Sequence, residues 1–293
     1  MIDVNEELAQ DYLADCRENL AAMETELMAI IMRESVFNDE RLNRIFRAAH
    51  AVCGPAAYFD LVKIRELAYE TEHTVATIRS RNVAPTAEDV RVLLRATDKL
   101  QELINNPDIS NQADTAEITA DLAQLRADRP VLLDLSSDAL SSDAKSSGSG
   151  HAPAPTHPHP KSLRILLVED DFACRFLMQS FLARYGECHI AVNGKEAVDV
   201  FRAAIELGQS YNLICMDIMM PEMDGREAVR HIRALEQERG ILSTFGAKIF
   251  MTTTVQQVRE VFLCFKELCD AYLMKPIDLG QLVNQMKFYQ LIQ

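Results

Sequence analysis

The chain reads as two domains, an all-α helical bundle followed by an α/β domain built on a parallel sheet. Three observations predict this. Through residues 1–130, apolar side chains recur at three- and four-residue steps, the spacing of one helix face. Residues 131–161 are rich in Ser, Asp, Gly and Pro and lose that periodicity. From 162 to 293, short apolar runs alternate with helical stretches, the order expected of five βα units around a parallel sheet.

Each element has its own signal. Leu8, Tyr12, Cys16, Leu20, Met23, Leu27 and Ile30 form one stripe on a long first helix. A second helix begins near Asn38–Asp39 and turns Ile45, Ala49 and Val52 inward. A third, from about Asp60 to Ser80, puts Leu61, Ile64, Leu67 and Ala68 on one face. Pro85 and Thr86 open a fourth, carrying Val90, Leu93, Leu94, Thr97, Leu100 and Ile104 and ending near Asn106–Pro107. ITADLAQLRAD (118–128) predicts a short fifth. Antiparallel helices joined by short turns pack as a bundle.

The 131–161 segment cannot bury enough surface to offset its ordering entropy, so a flexible, disordered linker is expected there. Its root-mean-square span would be roughly 30 Å, and the two domains are expected to move independently about it. His151, His157 and His159 read as solvated linker residues rather than a metal site. Beyond it, strands are predicted at RILLV (164–168), YNLICM (211–216), KIFM (248–251) and DAYLM (270–274). The stretch ALEQERGILSTFG (234–246) is long for the approach to a strand, and nothing in the sequence assigns it a function.

Composition excludes several classes. The net charge of −14 is concentrated in residues 1–130, which disfavours the phosphate backbone of nucleic acid. No run approaches the roughly 18–20 apolar residues of a membrane span. The acidic start MIDVNEELAQDYLADC is unlike a secretory signal, and a cytoplasmic location is expected. Seven cysteines, an odd number without a CxxC pair, argue for reduced thiols rather than a disulfide framework or zinc ribbon.

Chemistry gathers at the strand ends. Glu169 with Asp170, Asp217, Thr253 and Lys275 each follow or close an apolar run. In an open parallel sheet such residues converge on one crevice. Three carboxylates alone would repel, and oxygen-rich sites of this kind suit Mg²⁺. Lys275 and Thr253 could then hold the oxygens of an incoming phosphoryl group. The set reads as a phosphoryl-accepting aspartate.

VEDD (168–171), MDIMMPEMDG (216–225), MTTT (251–254) and YLMKP (272–276) occur in this order, each after a predicted strand. Over about 162–293 they resemble the receiver domain of two-component response regulators. The resemblance implies a flavodoxin-like (βα)5 fold with sheet order 2-1-3-4-5. It implies that Asp217 takes the phosphoryl group as an acyl phosphate, with Glu169, Asp170, Asp217 and the carbonyl of Met219 ligating Mg²⁺. Lys275 would pair with the phosphoryl group, and Thr253 and Tyr272 would form the switch that responds to it. Asp171, one place after the acidic pair, fits a ligand less well. Thr254 stands where the family prefers a small residue.

FRAAHAVCG (46–54), ELAYETEH (66–73) and TAEDVRVLLRATDKLQEL (86–103) resemble histidine phosphotransfer (HPt) domains, closest to those fused to chemotaxis-type kinases. The resemblance implies that a partly exposed His50 carries a phosphoryl group and that Glu72 hydrogen-bonds its ring. Cys53 stands where the family has a lysine that binds phosphoryl oxygens, so Cys53→Lys is expected to raise phosphorylation of His50. Tyr69 replaces a histidine common in that family.

The reading is a phosphorelay signal transduction protein with an HPt-like bundle (1–130) and a receiver (162–293), without a kinase ATP-binding domain. Expected partners are a histidine kinase and a downstream response regulator or HPt protein, with phosphorylation-dependent receiver dimers; nucleic acid is not expected. The alternative is a receiver-only phospho-switch whose HPt domain is a docking scaffold.

Overall fold

The computed structural model describes residues 4–32, 39–81, 83–127, 163–254 and 269–293. The expected linker and its histidines lie outside them.

The helical part comprises α1 (Val4–Ile31), α2 (Asp39–Ala56), α3 (Val62–Ser80), α4 (Ala87–Asn105), a single turn α5 (Pro107–Ser110) and α6 (Ala116–Ala127). α1 packs on α2 and α4, α2 on α3, and α6 on α3 and α4. The stripe predicted on α1 is buried from Leu8 to Leu27, and Ile45, Ala49 and Val52 of α2 meet it. Thr86 begins α4 with reciprocal bonds. Its hydroxyl accepts from the Asp89 amide at 3.1 Å, and the Asp89 carboxylate accepts from the Thr86 amide at 2.7 Å. Such a cap contributes about 1 kcal/mol. α5 was read only as the end of α4. Pro107 opens it, because a first-turn residue needs no amide proton.

The second part alternates β1 (Leu163–Val168), α7 (Phe172–Leu182), β2 (Gly186–Ala191), α8 (Gly194–Glu206), β3 (Leu213–Asp217), α9 (Gly225–Glu238), β4 (Lys248–Thr253), β5 (Ala271–Met274) and α10 (Leu279–Phe288). The strands are parallel in order 2-1-3-4-5, as expected. Side chains alternate along each strand. Ile165 and Leu167 face Met178, Leu182 and Met286, while Leu166 and Val168 face Val198, Phe201 and Val229. Register sets Val168 beside Met216, Asp217 beside Thr252 and Thr253 beside Met274. The strand ends that carry the chemistry therefore lie side by side.

The two parts pack together. One apolar cluster runs from the helical core through Phe250, Leu273, Met286 and Tyr289. The expected movement about the linker concerns residues 131–161, which lie outside those described. α3 and the end of α2 present aromatic and charged groups that the sheet part covers. Among the described residues no helix is long and apolar enough to cross a membrane.

Candidate functional site

The acidic crevice forms where β1, β3 and β5 end. Ligand oxygens of Glu169, Asp170 and Asp217 all lie within 4.8 Å of one another. Lys275 reaches in behind β5 and donates to Asp217 at 2.6 Å and to Glu169 at 2.8 Å. Burial, together with the nearby Asp217 charge, raises the Glu169 pKa even though Lys275 opposes it. Burial alone would lower Lys275, but its bonds to Asp217 and Glu169 outweigh this and hold it above the ordinary lysine value. The ammonium offsets part of the crowded negative charge, and the hard oxygen donors suit Mg²⁺.

Neighbouring groups hold these side chains in place. Arg175 donates to the carbonyls of Glu169 and Asp170 at 2.7 and 3.0 Å, fixing the acidic turn. Asp171 caps α7 through the Cys174 amide at 2.8 Å, which accounts for its separate use. Thr253 is buried at the end of β4, and its carbonyl accepts from the Lys275 amide at 2.6 Å. Tyr272 is also buried, already turned inward. Thr254 is exposed. The Met219 amide points to Asp217 Oδ1 at 3.4 Å, and the Met219 side chain is exposed.

Gly225 was read only as part of a motif. A Cβ there would come within 2.0 Å of the Asp217 carbonyl, closer than any real contact. Gly225→Ala should therefore displace Asp217 and lower the phosphoryl acceptance expected there from the receiver resemblance by at least about tenfold, since misplacement by ~1 Å can cost 10²-fold. Labelling by a small phosphodonor checks this; a rate equal to that of the unaltered chain would contradict it.

His50 lies midway along α2, and Glu72 of α3 meets its Nδ1 at 3.2 Å, as expected. The expected partial exposure is wrong: His50 is only 4% exposed. Its Nε2 lies 2.9 Å from the carbonyl of Cys269, just ahead of β5. Burial lowers the His50 pKa, but the Glu72 charge and hydrogen bond, with Asp270, outweigh burial and Arg233, so the net shift is upward. Cys53 is buried as well, its thiol bonded to the Arg65 carbonyl at 3.7 Å. The expectation for Cys53→Lys assumed an open position. A lysine here would have to force α3 and the sheet part away.

A buried ionic cluster, missed in the sequence, lies behind the Cys269 carbonyl. Asp270 accepts from Arg233 at 2.8 Å, Lys248 at 3.0 Å and the Ile249 amide at 2.8 Å. Arg233 also donates to Glu236 at 2.7 Å. Burial raises the Asp270 pKa, but the Lys248 and Arg233 charges override it and hold the carboxyl below its ordinary value. Arg233 and Glu236 fall on the inward stripe of α9 with Val229 and Ile232. Charges at those helical positions were the available signal.

Comparison with known proteins matches both parts. A family model described as Hpt domain matches residues 7–128, and one described as Response regulator receiver domain matches 165–287. Chemotaxis protein CheA of Rhizobium meliloti is 31% identical over 104 residues, 36% of this chain and 13% of that protein. The peroxide stress-activated histidine kinase mak2 of Schizosaccharomyces pombe is 35% identical over 129 residues, 44% of this chain and 5% of that protein. The chain thus spans a small fraction of these relatives. Among solved structures, the Mg²⁺-complexed receiver domain of the Arabidopsis thaliana histidine kinase CKI1 is 30% identical, covering 44% of this chain and 92% of that one, with a TM-score of 0.37.

Proposed function

From a chain in which an Hpt domain is followed by a response regulator receiver domain, we propose a phosphorelay protein that accepts a phosphoryl group on Asp217 and carries one on His50. The supporting observation is the crevice in which Lys275 bridges Asp217 and Glu169 at 2.6 and 2.8 Å. A phosphoryl transfer needs an in-line nucleophile, charge neutralisation and fixed geometry.

Asp217 supplies the attacking oxygen. Its O–P bond forms as the N–P bond of a phosphohistidine donor breaks, and the imidazole nitrogen leaves with the electron pair. Lys275 holds the developing charge on the phosphoryl oxygens, and the Thr253 hydroxyl turns to a third oxygen. Glu169, Asp170, Asp217 and the Met219 carbonyl would hold Mg²⁺. When bound, Mg²⁺ supplies positive charge against the phosphoryl oxygens. On the Hpt side, Glu72 engages Nδ1 and leaves Nε2 to take the phosphoryl group. The partners are a histidine kinase and a second receiver or Hpt protein, with no ATP-binding step on this chain.

A second reading, in which the Hpt domain only docks, draws on the burial of His50. A phosphorylated donor separates the two. Relay predicts acid-labile phosphate on His50, lost in His50→Gln, and acid-stable acyl phosphate lost in Asp217→Asn. Label on Asp217 with none ever on His50 would leave the docking reading.

A further inference from the structure

We propose that the end of the receiver sheet opposite Asp217 is a docking surface for this chain's own Hpt domain, masking His50 until phosphorylation of Asp217 releases it. The inference rests on the reading that both residues carry phosphoryl groups.

The masking is chemical as well as steric. A carbonyl oxygen accepts, so the 2.9 Å contact to Cys269 requires a proton on Nε2 of His50. Nδ1 faces the Glu72 carboxylate, which also accepts. A ring donating from both nitrogens is an imidazolium, with no lone pair to attack phosphorus. The nitrogen left for transfer is the one the receiver engages.

The surface is broad and, apart from Glu72, uses side chains that the site chemistry leaves without a task. Along one stripe of α3, Arg65 bonds Gln285 and lies 3.5 Å over the Phe288 ring, and Tyr69 packs on Phe288 and Tyr289 at 5.0 and 5.7 Å. One turn on, Glu72 accepts from the Thr244 hydroxyl at 3.4 Å, and the His73 ring meets Phe245 at 5.7 Å. Thr244 and Phe245 belong to the long segment before β4 that the sequence left without a role. The segment reaches from α9 to the Hpt domain.

The location rules out direct exchange in this arrangement. Cys269 precedes β5 and Lys275 follows it. Six residues of extended chain span about 20 Å at ~3.3 Å each, so His50 and Asp217 lie at opposite ends of the sheet. Phosphoryl transfer to or from His50 requires the Hpt domain to leave.

A physical link joins the two ends. Lys275 holds Asp217 through its ammonium and binds the Thr253 carbonyl through its amide. Three residues before it on β5, Tyr272 contacts the ring of Tyr58, which follows α2, at 5.8 Å. When a phosphoryl group draws on Lys275 and Thr253, Tyr272 repacks and loses its fit to Tyr58. That supplies the differential contact a switch needs.

The test reads His50 accessibility directly in the full chain, by its rate of modification with diethyl pyrocarbonate, with exposed His231 as the internal reference. In the unphosphorylated chain His50 should react more slowly than His231 by a factor within the roughly 5–150-fold range of domain coupling. Acetyl phosphate with Mg²⁺ should speed His50 selectively, and Asp217→Asn should abolish that response. Arg65→Ala combined with Phe245→Ala should speed it without any phosphodonor and enlarge the radius of gyration in small-angle scattering. Equal rates for the two histidines in the unphosphorylated chain, or no change in the double variant, would overturn the proposal. Release of His50 without any phosphate ever appearing on it would uphold the lock and count against the transfer reading.

Discussion

Replacing Asp270 with alanine should destabilise the receiver domain by about 3–5 kcal/mol, the cost of removing one partner from a buried ion pair. Asp270 accepts three bonds at 2.8 to 3.0 Å, from Arg233, Lys248 and the Ile249 amide. Without it, buried Arg233 and Lys248 each lose a carboxylate partner, while Arg233 retains its bonds to Glu236 and the Ala247 carbonyl and Lys248 its bond to the Thr244 carbonyl. Domains of this size are stable by only about 5–15 kcal/mol, so the loss is a large fraction. Because the folded-state pKa of Asp270 is depressed, its contribution is present above its unfolded value of about 3.9. It is lost as pH falls through the lower folded value. Urea unfolding of both proteins across acid pH checks this. The stability difference should shrink toward the acid end, and a difference below about 1 kcal/mol at neutral pH would contradict the account.

Lys275→Ala should slow phosphorylation of Asp217 by about 10²–10³-fold, the usual effect of removing one preorganised donor from a site of developing charge. The ammonium is the one cation shown bonded to both Asp217 and Glu169. Its loss would leave three carboxylates within 4.8 Å and no lysine for the phosphoryl oxygens. The fold should persist, since Lys275 lies beyond the end of β5 and supports no strand pairing with its side chain. Initial rates with acetyl phosphate, alongside circular dichroism, separate the two effects. A drop of less than about tenfold with the fold intact would remove Lys275 from the reaction.

Much of this was legible in the sequence, for identifiable reasons. Periodic burial announced α1 through α4, because one apolar stripe per helix is a local property. The strand-end groups were legible because a parallel sheet gathers them from sequence order alone. Glu72 reaches His50 as the resemblance to histidine phosphotransfer domains implied. What stayed hidden depends on contacts with no periodic trace. The Cys269 carbonyl that covers His50 is a backbone atom 219 residues away. Asp270 was read as the start of a strand, and nothing local says that it joins Arg233 across 37 residues. Cys53 seemed a lost lysine; in the fold it is a small group that lets α2 and α3 close.

The central claim is that Asp217 is the phosphoryl acceptor of the receiver crevice. Incubation of the full chain with acetyl phosphate and Mg²⁺, followed by peptide mapping in a mass spectrometer, tests it most directly. The account predicts an acyl phosphate on Asp217, absent from Asp217→Asn and lost when a chelator removes Mg²⁺. Undiminished labelling of Asp217→Asn would contradict it.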